Sequence, residues 1–165
     1  MSKTVKLRKG LDIRLVGVAN KVKSEVAISK IVSVKPSDFH GVTPKMLVKE
    51  GQEVKAGTII FQDKYNEPIK YASPVSGKVE AIVRGEKRRI LEVLISTSQD
   101  QQFETSEKKS VESMSNEEVK ATMLASGLWP FVKQRPLDIV ANPVNEPKAI
   151  FVSAFDSSPL APDFD

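Results

Sequence analysis

The chain has 165 residues, 40% hydrophobic and 28% charged, with a net charge of +4, enough for one domain of ordinary size or a small domain with appended pieces. It has no cysteine and one histidine, His40. That excludes disulfides, thiolate-held zinc, cysteine-ligated iron–sulfur clusters and a cysteine nucleophile within this stretch, and nearly closes the remaining metal options.

The net charge hides an asymmetry. Residues 1–90 carry 19 Lys/Arg against 9 Asp/Glu, a balance of +10, and residues 91–165 carry 6 against 12, a balance of −6. A basic half can face nucleic acid, anionic lipid or an acidic partner. Here the lysines are scattered singly and no aromatics interleave with them, which fits solvated outer faces of strands better than a nucleic-acid surface. The start, Met1 to Lys9, is charged with no apolar stretch behind it, unlike a secretory signal. No run approaches the ~20 apolar residues of a membrane helix.

In chain order, Lys6 to Val18 predicts one or two strands, with Leu7, Leu11, Ile13 and Leu15 on one face. Val26 to Val34 predicts another, rich in β-branched residues. Residues 35–44 have proline near both ends and predict an ordered loop, with His40 on its surface. Two segments then alternate apolar and polar residues around glycines: Val48-Lys-Glu-Gly-Gln-Glu-Val-Lys-Ala-Gly-Thr58 and Ser73-Pro-Val-Ser-Gly-Lys-Val-Glu-Ala-Ile-Val-Arg-Gly85. They predict two hairpin arms of a small flattened β-sandwich, with turns at Glu50-Gly51 and Lys55-Ala56-Gly57 and a reversal at Asn66-Glu67-Pro68 between the arms. Lys78 to Val83 and Ile90 to Ile95 form strands around a charged hairpin, with Val79, Ile82, Val83, Leu91, Val93 and Ile95 available to the core.

Residues 99–114 turn polar and read as a linker. Ser115 with Glu118 writes a capping box, Met114 and Val119 a hydrophobic staple, Val119, Met123 and Leu124 an apolar stripe, and Gly127 a stop. A short turn at Leu128–Val132 with Trp129 as a packing residue comes next, then a proline-punctuated loop from Pro136 to Pro147. Lys148-Ala-Ile-Phe-Val-Ser-Ala-Phe155 reads as a buried parallel-type strand. Its break at Asp156–Pro159, so near the end of the chain, predicts that it opens an α/β domain of a longer protein.

The fold class expected is thus mainly β, followed by a short helical segment and the first strand of an α/β domain. The expected domains are 1–98 (β-sandwich), 99–114 (linker), 115–147 (helix and proline-rich connection) and 148–165 (α/β start). The sequence has no G-x-G-x-x-G fingerprint, no P-loop and no evident acid–base dyad, so no catalytic or metal residue is singled out. The one local cluster with binding chemistry is Arg84, Lys87, Arg88 and Arg89, four cations at a hairpin tip suited to an acidic partner, lipid headgroups or a cofactor phosphate.

The arms resemble the biotinyl/lipoyl family, the barrel-sandwich hybrid, through Val48–Gly57 and Ser73-Pro-Val-Ser-Gly77. The lysine such carriers modify sits in other surroundings than Asp63-Lys64-Tyr65 or Ile69-Lys70-Tyr71, so the scaffold reads as used for something other than carrying. A wider resemblance runs through Lys6–Ile13, Lys35–Phe39, Thr43–Gly51, Ser73–Gly77, Arg84–Arg88, Ala125–Trp129 and Lys148–Val152. These segments, in this order, look like the A subunit of the bacterial sodium-translocating NADH:quinone reductase. The resemblance implies a peripheral subunit on the cytoplasmic face of the bacterial inner membrane, in a complex that uses NADH, flavin, iron–sulfur and quinone to export sodium. It implies no covalently bound cofactor in this region, other subunits as partners, possible contact with quinone, no nucleic acid, and a structural or docking role. The alternatives are a covalent biotin or lipoyl carrier, the C subunit of the related electron-transport complex, and a basic RNA-binding β-module.

Overall fold

The computed structural model describes residues 6, 15–17, 20–106, 109–153, 158 and 161. Ala27–Glu146 form one compact unit, and the remaining described residues belong to a second. The unit contains strands β1 (Ile31–Val34), β2 (Pro44–Met46), β3 (Glu53–Val54), β4 (Ile59–Asp63), β5 (Lys70–Ala72), β6 (Gly77–Arg84) and β7 (Ile90–Thr97), helix α1 (Asn116–Ala125), and a small hairpin of β8 (Lys133–Gln134) and β9 (Ile139–Val140).

Two antiparallel sheets share one apolar cluster. The first has the order β1-β7-β6-β3 and the second β2-β4-β5. The first contributes Val54, Val79, Ile90, Val93 and Ile95, and the second Ile60, Phe61 and Tyr71. Each side chain of this size, once fully buried, contributes about 1.5–3 kcal/mol. Phe61 stacks on Tyr71 across the β4–β5 pair with 4.5 Å between ring centroids, and Phe39 meets Tyr71 edge-on at 4.7 Å.

The glycine turns are where the sequence places them, with Gly51 at φ +83° and Gly57 at φ +99°. The first arm, however, is not a hairpin closed on itself. β2 pairs with β4, Met46 opposite Phe61, while β3 crosses to the other sheet and pairs with β6, Glu53 opposite Lys78. Hydrogen bonds from Gly51 N–H to the Val79 carbonyl and from Val79 N–H to the Gln52 carbonyl hold the crossing. It lets Val48 and Val54, on either side of the turn, both be buried.

Two bulges change which residues face inward. On β6 the pairing steps from Val79–Ile95 to Ala81–Leu94, and on β7 from Val83–Glu92 to Arg84–Ile90. One extra residue in a strand reverses its alternation. Leu91, expected in the core, is therefore 41% exposed, and Ile90 takes its place inside.

Other expectations are corrected. Of the strand expected from Val26 to Val34 only Ile31–Val34 forms, and Val26 and Ile28 are exposed. Its partner β7 ends opposite it, Ser96 with Ile31, and the chain turns away after Thr97, so earlier residues have no strand to pair with. The loop expected over 136–147 contains half of the β8–β9 hairpin. Residues 148–153 form no strand, and Ile150, Phe151 and Val152 are each more than three-quarters exposed. An apolar strand needs sheet neighbours, and among the described residues none pairs with this run; 154–155 lie outside them. The strand expected between Lys6 and Val18 also lies outside the described residues, apart from Lys6, which is exposed, and Leu15, Val16 and Gly17, which are exposed and irregular.

Helix α1 begins as its sequence dictates. The Ser115 N–H donates to Glu118 Oε2 at 2.8 Å, and the Glu118 N–H donates to Ser115 Oγ at 3.3 Å. The helix ends with the Leu128 N–H donating to the Met123 carbonyl around Gly127. Leu124 and Trp129 pack against the core cluster from outside, and Trp129 Nε1 donates to the Ala141 carbonyl at 2.8 Å.

These contacts have two measurable outcomes. The buried Tyr71 hydroxyl has no hydrogen-bond partner among the described residues. Burial first, and the nearby Asp63 second, push its ionisation above the ordinary phenol range. Removing an unsatisfied polar atom is neutral or favourable. Tyr71→Phe should match or exceed the parent in denaturant unfolding, whereas Phe61→Ala should lose about 3–5 kcal/mol. The Ser115 backbone N–H first, and its hydroxyl second, hold the Glu118 carboxyl below the usual carboxylate range. Its stabilising contribution is present above the unfolded value and is lost as pH falls through the lowered one. An NMR carboxyl titration should show a depressed Glu118 midpoint that moves only part of the way back in Ser115→Ala, which removes the hydroxyl and keeps the backbone N–H.

Candidate functional site

The four cations singled out in the sequence sit together at the β6–β7 tip. All four are exposed, and no ion pair engages them among the described residues. The loop is closed by the Gly85 N–H on the Arg89 carbonyl (2.8 Å) and the Arg89 N–H on the Glu86 carbonyl (3.1 Å), with the Arg84 guanidinium on the Arg88 carbonyl at 3.4 Å. Lys87 and Arg88 both hold left-handed backbone, φ +52° and +62°. Glycine or asparagine would adopt it at less cost, yet cations occupy both positions.

The opposite end of the same strands is built differently. Ser76, 3% exposed, is the hub of a strap made by residues 98–104. Its N–H donates to Gln101 Oε1 (2.8 Å), its Oγ accepts from the Gln102 N–H (2.9 Å), and its carbonyl accepts from the Ser98 N–H (2.9 Å). Farther on, the Ala56 N–H donates to the Gln102 carbonyl, the Glu104 N–H to the Ala56 carbonyl, and Thr58 Oγ1 to Glu104 Oε1. The strap thus ties both glycine arms together. Gly77 has no room for a side chain there, since a Cβ would lie 2.0 Å from the Ser96 carbonyl oxygen. Beside the strap opens a groove of about 600 Å³ whose charged lining is Glu53, Lys55, Lys78, Asp100 and Glu104. Three carboxylates and two ammoniums thus line it.

The other residues considered lie apart from both ends. Lys64 is exposed in the β4–β5 turn, its N–H on the Thr43 carbonyl and its ammonium 5.7 Å from the Tyr65 ring centroid. Lys70 lies half-buried within β5. His40 is exposed, 3.9 Å from Asp138. Among the described residues no three His, Asp or Glu side chains gather as a metal would require, and no helix is long and apolar enough to cross a membrane.

Sequence reading missed the strap. Gln101–Glu104 look like linker because their partners lie 46 positions earlier, as Thr58 does from Glu104, or in the Ser73–Gly77 entry. The available signal was Ser76 itself, a small polar residue between a proline-led turn and a glycine that admits no Cβ.

Two antiparallel sheets closed on one core, with glycine-turned arms crossing between them, define the barrel-sandwich hybrid class. Residues 5–98 match the family profile described as the NqrA N-terminal barrel-sandwich hybrid domain, and residues 114–165 that of the NqrA second alpha/beta domain. The chain is 37% identical over 161 residues to the Na(+)-translocating NADH-quinone reductase A subunit of Yersinia pseudotuberculosis, covering 96% of this chain. It is 40% identical over 158 residues to that of Marinomonas sp., covering 94% of this chain, and 36% identical over 161 residues to that of Pseudomonas aeruginosa, covering 96%. The chain belongs to the family of A subunits of the Na(+)-translocating NADH-quinone reductases. It spans 36% of the length of each of these curated relatives.

Replacing Ser76 by alanine leaves the Gln102 N–H without its acceptor, at a cost of about 0.5–1.5 kcal/mol for one lost hydrogen bond. Hydrogen exchange should speed at residues 100–104 in Ser76→Ala while the β6–β7 amides keep their order of protection.

Proposed function

We infer that this chain is part of a peripheral subunit of a complex that oxidises NADH, reduces quinone to quinol and exports sodium, and that its β-sandwich is a structural and docking module. The observation that carries this reading is the match to A-subunit relatives over 94–96% of the chain, running through both the sandwich and the helical part beyond it. In this reading the flavin, iron–sulfur and NADH sites belong to partner subunits, and the complex sits with this chain on the cytoplasmic face of the bacterial inner membrane. Other subunits are the partners, quinone is a further contact of the assembled complex, and nucleic acid is not a ligand. The working division is a sandwich over 1–98, a connection over 99–114, a helical part over 115–147 and the start of an α/β domain over 148–165.

The strap supports a docking role on physical grounds. A module whose two arms are tied by hydrogen bonds at one end presents a fixed surface, and a preorganised surface loses less entropy on binding.

Affinity capture of the chain from its native host membranes tests the reading. Partner subunits and NADH:quinone reductase activity should be retained together, the isolated chain should show no turnover, and its intact mass should carry no biotin or lipoyl adduct on Lys64 or Lys70. Capture of the chain without that activity would overturn it.

A further inference from the structure

We propose that the β6–β7 tip is an electrostatic contact with an anionic lipid surface. The proposal rests on the peripheral-subunit reading and deepens it by naming what holds this chain against a bilayer.

Four observations carry it. Arg84, Lys87, Arg88 and Arg89 stand within six positions, exposed, offset only by Glu86 in the same loop and free of ion pairs among the described residues. Elsewhere on the unit two bases meet acids, Lys45 bonding Glu67 at 2.6 Å and Arg135 lying 3.6 Å from Asp138. The nearest acid along β7, Glu92, accepts from the Ser33 hydroxyl at 2.8 Å. The tip also lies at the end of β6 and β7 away from the strap. Seven steps along β6 separate Gly77, beside the strap, from Arg84, about 23 Å at the usual strand rise, and the chain leaves toward α1 from the strap end.

The form of the tip selects among anionic partners. A protein interface needs a contiguous patch of roughly 800 Å² on each side with an apolar centre, and the tip offers only Leu91, 41% exposed, among charges. Nucleic acid favours aromatic platforms between the cations, and the nearest residues carry none. Headgroup adsorption asks only for charge held near the surface, each basic residue adding about fivefold to partitioning. The hydrogen bonds across Gly85, Glu86 and Arg89 hold the cations outward without requiring a pocket.

Sedimentation of the full chain with phosphatidylglycerol–phosphatidylcholine vesicles, against phosphatidylcholine alone, tests this. Binding is expected only with the anionic lipid and should fall steeply with salt. Arg84→Ser, Lys87→Ser, Arg88→Ser and Arg89→Ser combined should lower it by on the order of a hundredfold or more with circular dichroism unchanged. Arg88→Lys with Arg89→Lys, which keeps charge and loses the guanidinium fork, should bind like the parent. No binding to anionic vesicles, equal binding by the serine variant, loss of binding in the lysine variant, or displacement by inorganic phosphate at matched ionic strength would each overturn the proposal. Membership of the complex, tested by capture from membranes, would stand in any of these cases.

Discussion

The burial of Tyr71 is the constraint on which the rest of the unit turns. Its ring is stacked by Phe61 from the neighbouring strand and met edge-on by Phe39 from the loop after β1, and it belongs to the same cluster as Val79, Val93 and Ile95 of the facing sheet. The three-stranded sheet is short, and Ile60, Phe61 and Tyr71 on it belong to the shared cluster. It persists because its inner face closes against the longer β6–β7 pair. That closure requires the crossing at Gly51, the two bulges and the proline-led loop at 36–38, which delivers Phe39 to the ring. The hydroxyl, without a partner among the described residues, is the cost of placing a tyrosine at that point.

The sandwich and the helical part beyond it are not independent bodies within Ala27–Glu146. Leu124, Trp129 and Val140 pack against the core that the two sheets share. A Cβ on Gly127 would lie 2.9 Å from the Ala72 Cβ, so the end of α1 meets the second sheet closely. These residues fall in the range matched by the second-domain profile, whereas the cluster falls in the range matched by the first. The strap lies between the two matched ranges and is hydrogen-bonded at nearly every step to Ser76, Ala56 and Thr58. A segment of such polar composition would be mobile in isolation. Here its glutamines and backbone supply the hydrogen bonds that buried arm residues require.

The module therefore has two unlike ends. One is occupied by its own chain, with Ser76, Ala56 and Thr58 hydrogen-bonded to the strap and charges of both signs along an open groove. The other carries four cations against one acid, Glu86, on a loop whose backbone is left-handed at Lys87 and Arg88. Glycine or asparagine would adopt that left-handed backbone at less cost.

Much of this was legible along the chain wherever the interacting groups lie within a few residues of one another. The Ser115–Glu118 capping box, the turns at Gly51 and Gly57, the stop at Gly127 and the β6–β7 hairpin with its basic tip are local chemistry, and the order of motifs was enough to indicate the family. Pairing between distant segments was not legible. Periodicity shows that Val26 and Ile28 suit a strand but not that β7 ends before reaching them. It shows an apolar run at 148–153 but not whether a neighbour exists. It places Leu91 inside because a single-residue bulge leaves no mark in the sequence. Ser76 and Gln101 look unremarkable apart and become a hub only when the arms bring them within hydrogen-bond reach. Local propensity acts through backbone geometry and short-range bonds, whereas register, crossing and burial depend on which surfaces find each other, and that is decided by the folded whole.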